Sequence, residues 1–445
     1  MFKIGMVSLG CPKNTVDSEW ALGDLAAQGF SLTPNAEEAD CLIVNTCGFL
    51  ESATRESIDT ILEMAQYKKD GVCKKLVVTG CLSERYGESL LKEIPEIDHL
   101  LGVGQYSQLP SLLSESMNKA TVDSERDLTT LPPTFFLSTE HRVLTTPNYS
   151  AYLKLGEGCS NKCAFCIIPK LRGQFKSRTP ETIVEEARSL VGRGVKELNL
   201  ISQDTTMYGV DLRMKNGLVT LLRELVKVDG AEWIRLFYCY PTFITEELLD
   251  FIAAEPKVCN YIDVPLQHTH DDMLRSMKRQ ECEAGVRKMI SSMRSKAPDI
   301  ALRTTFITGF PGETEAHFQH TLAFMKEIQF DHVGIFAYSD EEGTTAFDYA
   351  DKVPPELGAE RKDALMEAQR EISRKKNEKL IGSVVSVLTE GIDPEEDYIA
   401  TGRMESQAPD IDGQVILEEC DAEAGEIISV KITGADDYDL VGRPV

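Results

Sequence analysis

Three times between Phe2 and Cys81 a short apolar run breaks off at a neighbouring glycine and cysteine, and this recurrence limits the fold more than any other feature. Phe2 to Leu9 leads into Gly10-Cys11, Cys41 to Thr46 into Cys47-Gly48, and Leu76 to Thr79 into Gly80-Cys81. Runs of that kind read as buried strands, and between them Ser18 to Gln28 and Ser52 to Tyr67 carry apolar residues at helical spacing. Strict alternation of this sort predicts an open parallel sheet covered by helices. Parallel strands end on one edge, so Cys11, Cys47 and Cys81 should converge in the crevice there. Cys41 and Cys73 precede their strands and belong at the opposite edge, as ordinary thiols. Gly10, Gly48 and Gly80 leave room for a cofactor against backbone. Three thiolates leave one iron of a 4Fe-4S cube open, whereas electron-transfer clusters are normally fully ligated.

A second alternating series begins at Tyr152 and runs to about Tyr349. Its strand candidates are Tyr152 to Leu155, Glu197 to Ile201, Trp233 to Tyr238, Tyr261 to Val264, Ala301 to Thr308 and His332 to Ala337, separated by helical stretches such as Pro180 to Gly192, Leu218 to Val228 and Glu315 to Ile328. Six βα repeats predict a partial (β/α)6 parallel barrel. After Pro354-Pro355 a charged helix, about Ala359 to Leu380, leads into Ser383 to Val445, where β-branched runs alternate with Gly and Asp turns as in a small antiparallel β-barrel. The expected class is therefore α/β, with an amino-terminal domain over 1–118, a Ser/Thr/Pro-rich linker over 119–144, a central barrel over 145–376 and a small barrel over 377–445.

Directly after the first strand of the second series stands Cys159-Ser160-Asn161-Lys162-Cys163-Ala164-Phe165-Cys166. Three thiolates on one tight loop can hold three corners of a 4Fe-4S cube, again leaving an iron open. An open coordination position separates a reactive metal site from a closed structural one. The competing reading is a zinc knuckle or a set of buried thiols. Zinc wants a fourth ligand at short spacing, and His141, the nearest histidine, lies on the wrong side of the strand.

Ligands of parallel α/β sheets gather at the carboxyl ends of the strands. There stand Ser202-Gln203-Asp204, Tyr238-Cys239-Tyr240-Pro241, Pro265-Leu266-Gln267-His268 and Gly309-Phe310-Pro311-Gly312-Glu313-Thr314. Each of these residues could equally be ordinary loop. His268 and His270 could suggest a metal pair, but such a pair at a strand end is more often simply polar.

Composition narrows the setting. No run of about 18 apolar residues occurs and the amino terminus lacks a signal-peptide layout, which predicts a soluble cytoplasmic protein with no membrane partner. Twelve cysteines in a reducing compartment favour metal ligands over disulfides. The formal net charge of -25 argues against non-specific affinity for nucleic acid and suits a basic partner.

Together the stretches S-L-G-C-P-K-N from Ser8, N-T-C from Asn45, the Gly80-Cys81 pair, C-S-N-K-C-A-F-C from Cys159, G-F-P-G-E-T from Gly309 and the β-rich tail resemble the methylthiotransferase family of radical S-adenosylmethionine (SAM) enzymes over nearly the whole chain. Ser8 to Asn14, Ile262 to His268 and Phe336 to Thr344 look most like the members that modify a ribosomal protein. The resemblance implies two 4Fe-4S clusters, an auxiliary one on Cys11, Cys47 and Cys81 and a SAM-binding one on Cys159, Cys163 and Cys166, with Phe165 near the adenine, Gln267 and Arg303 as SAM contacts, and a carboxyl-terminal module of the TRAM type. It further implies that one SAM methylates sulfur held at the auxiliary cluster. A second is cleaved to a radical that takes hydrogen from the β-carbon of an aspartate in a small-subunit ribosomal protein, giving 3-methylthioaspartate. A reductant such as flavodoxin or ferredoxin is implied, and the sulfur donor is left open. The alternatives are a transfer-RNA methylthiotransferase with the same clusters and a non-catalytic iron-sulfur carrier. Residues 381–445 hold 16 Asp and Glu against Arg403, Lys431 and Arg443, which makes stable RNA binding through this module unfavourable and a basic ribosomal protein the expected substrate.

Overall fold

The computed structural model describes residues 2–118, 127–128, 141–392 and 400–445. Most of the expected 119–144 linker, and Asp393, Glu395, Glu396 and Asp397 of the acidic tail, lie outside them. The chain divides into two compact units, Met1–Pro147 with Tyr152–Asn161 and Ile167–Ser189, and Asn148–Ala151 with Lys162–Cys166 and Leu190–Val445.

The first unit is built on a six-stranded sheet of β1 (Lys3–Ser8), β2 (Ser31–Leu32), β3 (Cys41–Thr46), β4 (Lys75–Gly80), β5 (His99–Leu100) and β6 (Asp127–Leu128), in the order β2-β1-β3-β4-β5-β6 with every ladder parallel. Alternate residues of the buried strands supply two cores. Leu42, Val44, Leu76 and Val78 pack with Ile61, Met64 and Leu90, while Ile4, Ile43 and Val77 pack with Leu25, Leu109 and Leu113. Each such side chain contributes about 1.5–3 kcal/mol by leaving water. Helix α1 (Pro12–Ala27) starts six residues before the apolar periodicity does, because Pro12 occupies the first turn, where its fixed φ and missing N–H are harmless. Helix α2 spans Glu51–Asp70 and α3 spans Cys81–Glu93.

The second series yields β7 (Ser150–Lys154), a short hairpin of β8 (Gly156–Glu157) with β9 (Lys176–Ser177), then β10 (Glu197–Ile201), β11 (Trp233–Leu236), β12 (Val258–Asp263), β13 (Ala301–Thr308) and β14 (His332–Ala337). The sheet order is β14-β13-β12-β11-β10-β7, and β10 to β14 are parallel neighbours. Register places Asn199 beside Arg235 and Asp263 beside Arg303, so one face carries Glu197, Asn199, Arg235, Tyr261, Asp263, Arg303 and Thr305. The opposite face carries Leu198, Leu200, Ile234, Leu236, Ile262, Leu302 and Phe306 and is sealed by apolar burial. The polar face must find its partners elsewhere.

It finds several in the carboxyl-terminal barrel, β15 (Val384–Ile392), β16 (Ala400–Met404), β17 (Val415–Leu417), β18 (Ile427–Ala435) and β19 (Leu440–Pro444). The helix before it runs Pro355–Glu378, again starting earlier than its periodicity because proline opens the first turn. The barrel is closed and mostly antiparallel, but β17 and β19 pair in parallel because the chain crosses to β18 before returning to complete closure. From the end of β16 to Asp412 the chain lies on the polar face of the larger sheet. Arg403 Nη2 donates to Glu197 at 2.8 Å, Arg235 Nη1 donates to the Glu405 carbonyl at 2.6 Å, and Tyr261 Oη donates to Asp412 at 2.9 Å. Burial would raise the Glu197 carboxyl, but Arg403 and Arg235 hold it well below the carboxylate range. No helix among the described residues is long and apolar enough to cross a membrane.

Candidate functional site

Each cysteine of the first triplet leaves the same edge of the parallel sheet. Cys11 caps α1, Cys47 follows β3 directly, and Cys81 is the first residue of α3, one position past Gly80 of β4. The backbone here is packed as tightly as glycine permits. A Cβ on Gly10, whose φ is +90°, would stand 2.7 Å from Cys47 Cβ and 3.0 Å from its sulfur. A Cβ on Gly48 would stand 2.8 Å from Leu82 Cα. Side chains at these positions would therefore push the three loops apart. All three thiols are free, and they are near enough to repel one another as anions. Burial, aided by those neighbours, pushes the Cys47 thiol up to about 11. Cys47 and Cys81 thus resist ionisation as bare thiols, and the irons of an iron-sulfur cluster would supply the cations that let such sulfurs ionise. Cys41 and Cys73 lie near each other at the opposite end of β3 and β4, as expected.

Residues not singled out in the sequence hold this edge together. Asn14 Nδ2 donates to the carbonyls of Leu9 and Thr46 at 2.9 and 3.0 Å, tying the ends of β1 and β3. Asn45 Nδ2 donates to the Asn14 carbonyl and to Ser18 Oγ at 3.1 and 2.9 Å, and Ser57 Oγ bonds both backbone groups of Cys47. Arg172 Nε donates to Cys81 Sγ at 3.4 Å. Its terminal nitrogens reach Glu157 at 2.9 Å, Asp17 at 3.2 Å and Asn14. Burial would raise the Glu157 carboxyl, but Arg172 and Lys154 hold it down to about 2. Asparagines beside cysteines in an N-terminal motif were a signal for the first two. Arg172, 17 residues past the expected strand that ends at Leu155, carried none.

The second triplet occupies the loop after β8. In the first unit the Cys159 amide donates to the Gly173 carbonyl at 3.0 Å. In the second, Ala164 donates to Met277 O at 2.9 Å and accepts from the Ala346 amide at 2.8 Å, pinning the loop on both sides. Arg279, itself buried, aims Nη1 at Cys163 Sγ across 3.7 Å, donates to the Pro265 carbonyl at 2.7 Å and stacks 4.1 Å from the Tyr240 ring centroid. A buried guanidinium thus faces one sulfur of each triplet.

Phe165 packs edge-on to Phe310 with centroids 6.5 Å apart, which sets the residue before Cys166 against the Gly309–Thr314 loop. Gln267 stands past the end of β12 with φ +69° and is stitched to β13 through Thr305 O at 2.7 Å and Ile307 N at 2.8 Å. Tyr238, past β11, is left-handed too, with φ +56°. Non-glycine residues in that region cost energy and gather at ligand clamps. Arg303 lies elsewhere. It is the third residue of β13, and its guanidinium faces Asp263 at 3.2 Å and Asp412 at 3.4 Å. The structure thus engages it with the small barrel and does not bring it to the Phe165 group. His268 and His270 act locally: His268 Nδ1 accepts the amides of Thr269 and His270, and His270 Nδ1 accepts that of Asp272. His270, Asp272 and His317 bring ligand atoms within 4.8 Å of one another, but His317 Nδ1 likewise accepts a backbone amide, that of Thr314, so both rings serve as helix caps.

A six-stranded sheet whose β10 to β14 are parallel neighbours, with three cysteines on the loop that follows β7 and β8, is the arrangement of a radical SAM domain. Comparison with known proteins bears this out. Residues 153–325 match the radical SAM superfamily, 3–102 match "Uncharacterized protein family UPF0004", and 381–445 match the TRAM domain. Among solved structures, the radical SAM methyltransferase TsrM from Kitasatospora setae, with cobalamin and a [4Fe-4S] cluster bound, superposes with a TM-score of 0.54 at 16% identity over 76% of this chain and 75% of its own. That likeness concerns the fold alone. Ribosomal protein uS12 methylthiotransferase RimO of Geobacter sulfurreducens is 47% identical over 441 residues, 99% of this chain and 98% of its own, and that of Symbiobacterium thermophilum is 48% identical over 444 residues, 99% and 90%. The chain belongs to the RimO family of radical SAM methylthiotransferases, whose cofactors are SAM and two 4Fe-4S clusters.

Proposed function

We propose that this protein adds a methylthio group to the β-carbon of an aspartate in ribosomal protein uS12, with Cys11, Cys47 and Cys81 holding the auxiliary cluster and Cys159, Cys163 and Cys166 the SAM-binding one. The observation that carries the reading is the convergence of three free thiols at one sheet edge, each from a different strand and backed by glycines that no other residue could replace. When bound, the clusters supply reductive cleavage of SAM and a sulfur to transfer. The chain's own part is placement. Phe165 and Phe310 offer an apolar wall for an adenine, and the left-handed Gln267 and Tyr238 fix the loops around it. Asn14 and Asn45 keep the strand ends from parting when thiolates gather there.

The setting is cytoplasmic, with a flavodoxin- or ferredoxin-type reductant and a sulfur donor of unassigned identity. The domain limits 1–118, 145–376 and 377–445, joined by 119–144, suit this division of labour. The acidic tail fits a lysine- and arginine-rich substrate better than RNA, whose phosphates would meet carboxylates. Anaerobically reconstituted protein should hold about eight irons, two cubes' worth, and the Cys159, Cys163 and Cys166 triple alanine variant about half as many, with no 5'-deoxyadenosine formed from SAM. Mass spectrometry of uS12 and of transfer RNA incubated with the enzyme then reads the product. Methylthiolation of transfer RNA and not of uS12 would overturn the assignment, as would SAM cleavage by the triple variant.

A further inference from the structure

Resting on the assignment of Cys81 to the auxiliary cluster, we propose that Arg172 is a positioning and tuning residue of that cluster, its Nε–H bonding the Cys81 sulfur and holding the cluster's reduction potential up. Three observations meet here. The guanidinium is 1% exposed, so every N–H must find an acceptor within the protein. Its two terminal nitrogens are taken up by Asp17, Glu157 and Asn14, which fixes the plane of the group and leaves Nε–H directed at Cys81 Sγ, 3.4 Å away. Asp17 and Glu157 are in turn matched by Lys154, 2.5 Å from Asp17, so two buried cations balance two buried anions. Neutralising charge at this spot did not require the arginine to face a sulfur. The same pairing at the other triplet, Arg279 with Cys163, shows the arrangement arising twice from unrelated segments.

A hydrogen bond to a ligating sulfur draws electron density from the cluster and favours its reduced state. Arg172 also follows Cys166 by six residues, so the segment that carries the SAM-cluster cysteines supplies the donor to the auxiliary ligand. Lysine cannot reproduce this contact, since a point charge on a flexible stem lacks the planar fork that aims Nε–H.

The test uses the full chain with Cys159, Cys163 and Cys166 changed to alanine, so that only the auxiliary cluster is read. EPR-monitored redox titration should show the midpoint in Arg172→Lys, and in the charge-balanced pair Arg172→Gln with Asp17→Asn, moved to more negative potential by at least a tenfold change in the reduced-to-oxidised ratio, about 59 mV for one electron. Arg279→Lys in the same background should leave it in place. Loss of the auxiliary iron from Arg172→Lys protein whose thermal unfolding is unchanged would equally support the contact. An unmoved midpoint in variants that retain about four irons overturns it. Failure of the underlying ligand assignment looks different: further replacement of Cys81 by alanine would then leave the iron content unaltered.

Discussion

Trp20 and Glu186 stand 166 positions apart, yet the indole Nε1 donates to the carboxylate at 2.9 Å in a wholly buried contact. The same carboxylate accepts from Arg142 Nη1 at 2.8 Å and Arg178 Nη1 at 2.5 Å, while Arg142 also pairs with Glu19. Burial alone would raise the Glu186 carboxyl, but Arg178 and Arg142 hold it below its usual 4.5. A group with a depressed folded value stabilises the protein above the unfolded value and loses that contribution as pH falls through the folded one. Glu186→Gln should therefore cost about 3 kcal/mol at pH 7, where it leaves guanidinium charge uncompensated, and should flatten the fall of stability below pH 4.5. Urea unfolding across that range measures both, and an unchanged midpoint at pH 7 would refute the role.

Cys41 and Cys73 provide the control for the sheet-edge argument. They lie at the far end of β3 and β4 from the converging thiols, so alanine at either should leave all iron in place. Alanine at Cys47 should remove the auxiliary cluster. Iron analysis of the anaerobic proteins decides, and a cluster missing from the Cys41 variant would contradict the placement.

Asn14→Ala removes the donors to Leu9 O and Thr46 O and the acceptor of Arg172 together. Each buried group left without a partner costs about 1–3 kcal/mol. The variant should fold with a lowered thermal midpoint and surrender auxiliary iron to a chelator faster than the parent, with SAM cleavage retained. Chelator kinetics followed at the cluster absorbance would show whether the iron is released at the parental rate instead.

Charge steering by the small barrel is open to direct measurement. Glu419 is exposed and Glu418 half-buried, and Arg443 pairs with them at 3.9 and 2.9 Å. Changing both to glutamine, alone or with Glu395, Glu396 and Asp397, should weaken binding to isolated uS12, and more at low salt than at high. Equal affinity at low salt would assign the acidity to solubility alone.

Much of this architecture is written in apolar periodicity. β10, β13 and β14 and the helices Pro180–Gly192 and Glu315–Ile328 have the bounds their patterns suggested, since buried strands and amphipathic helices announce themselves locally. Cys11, Cys47 and Cys81 could be told from Cys41 and Cys73 because strand ends are a topological matter. Arg172, Arg279 and Arg235 could not, for a buried cation in sequence looks the same as a surface one until its long-range partners are known. For the same reason the count of charges in the tail did not show which of them reach the surface: Asp412 and Arg403 are buried against the larger sheet and, being opposite in sign, leave the net charge as counted. The parallel β17–β19 pair was equally hidden, because strand direction in a closed barrel depends on the order of crossing and leaves no local trace.

That engagement also orders events during synthesis. Arg403 and Glu197 are 206 positions apart, and Tyr261 and Asp412 are 151 apart. While the nascent chain ends anywhere before β16, the polar face of β10 to β13 lacks Arg403 and Asp412, so Glu197 and Arg235, though paired with each other, must turn their remaining groups to water. The central sheet can form its ladders early but can dry that face only after the last barrel emerges, so a ribosome stalled within residues 333–402 would carry a core that is paired, wet and open to proteases.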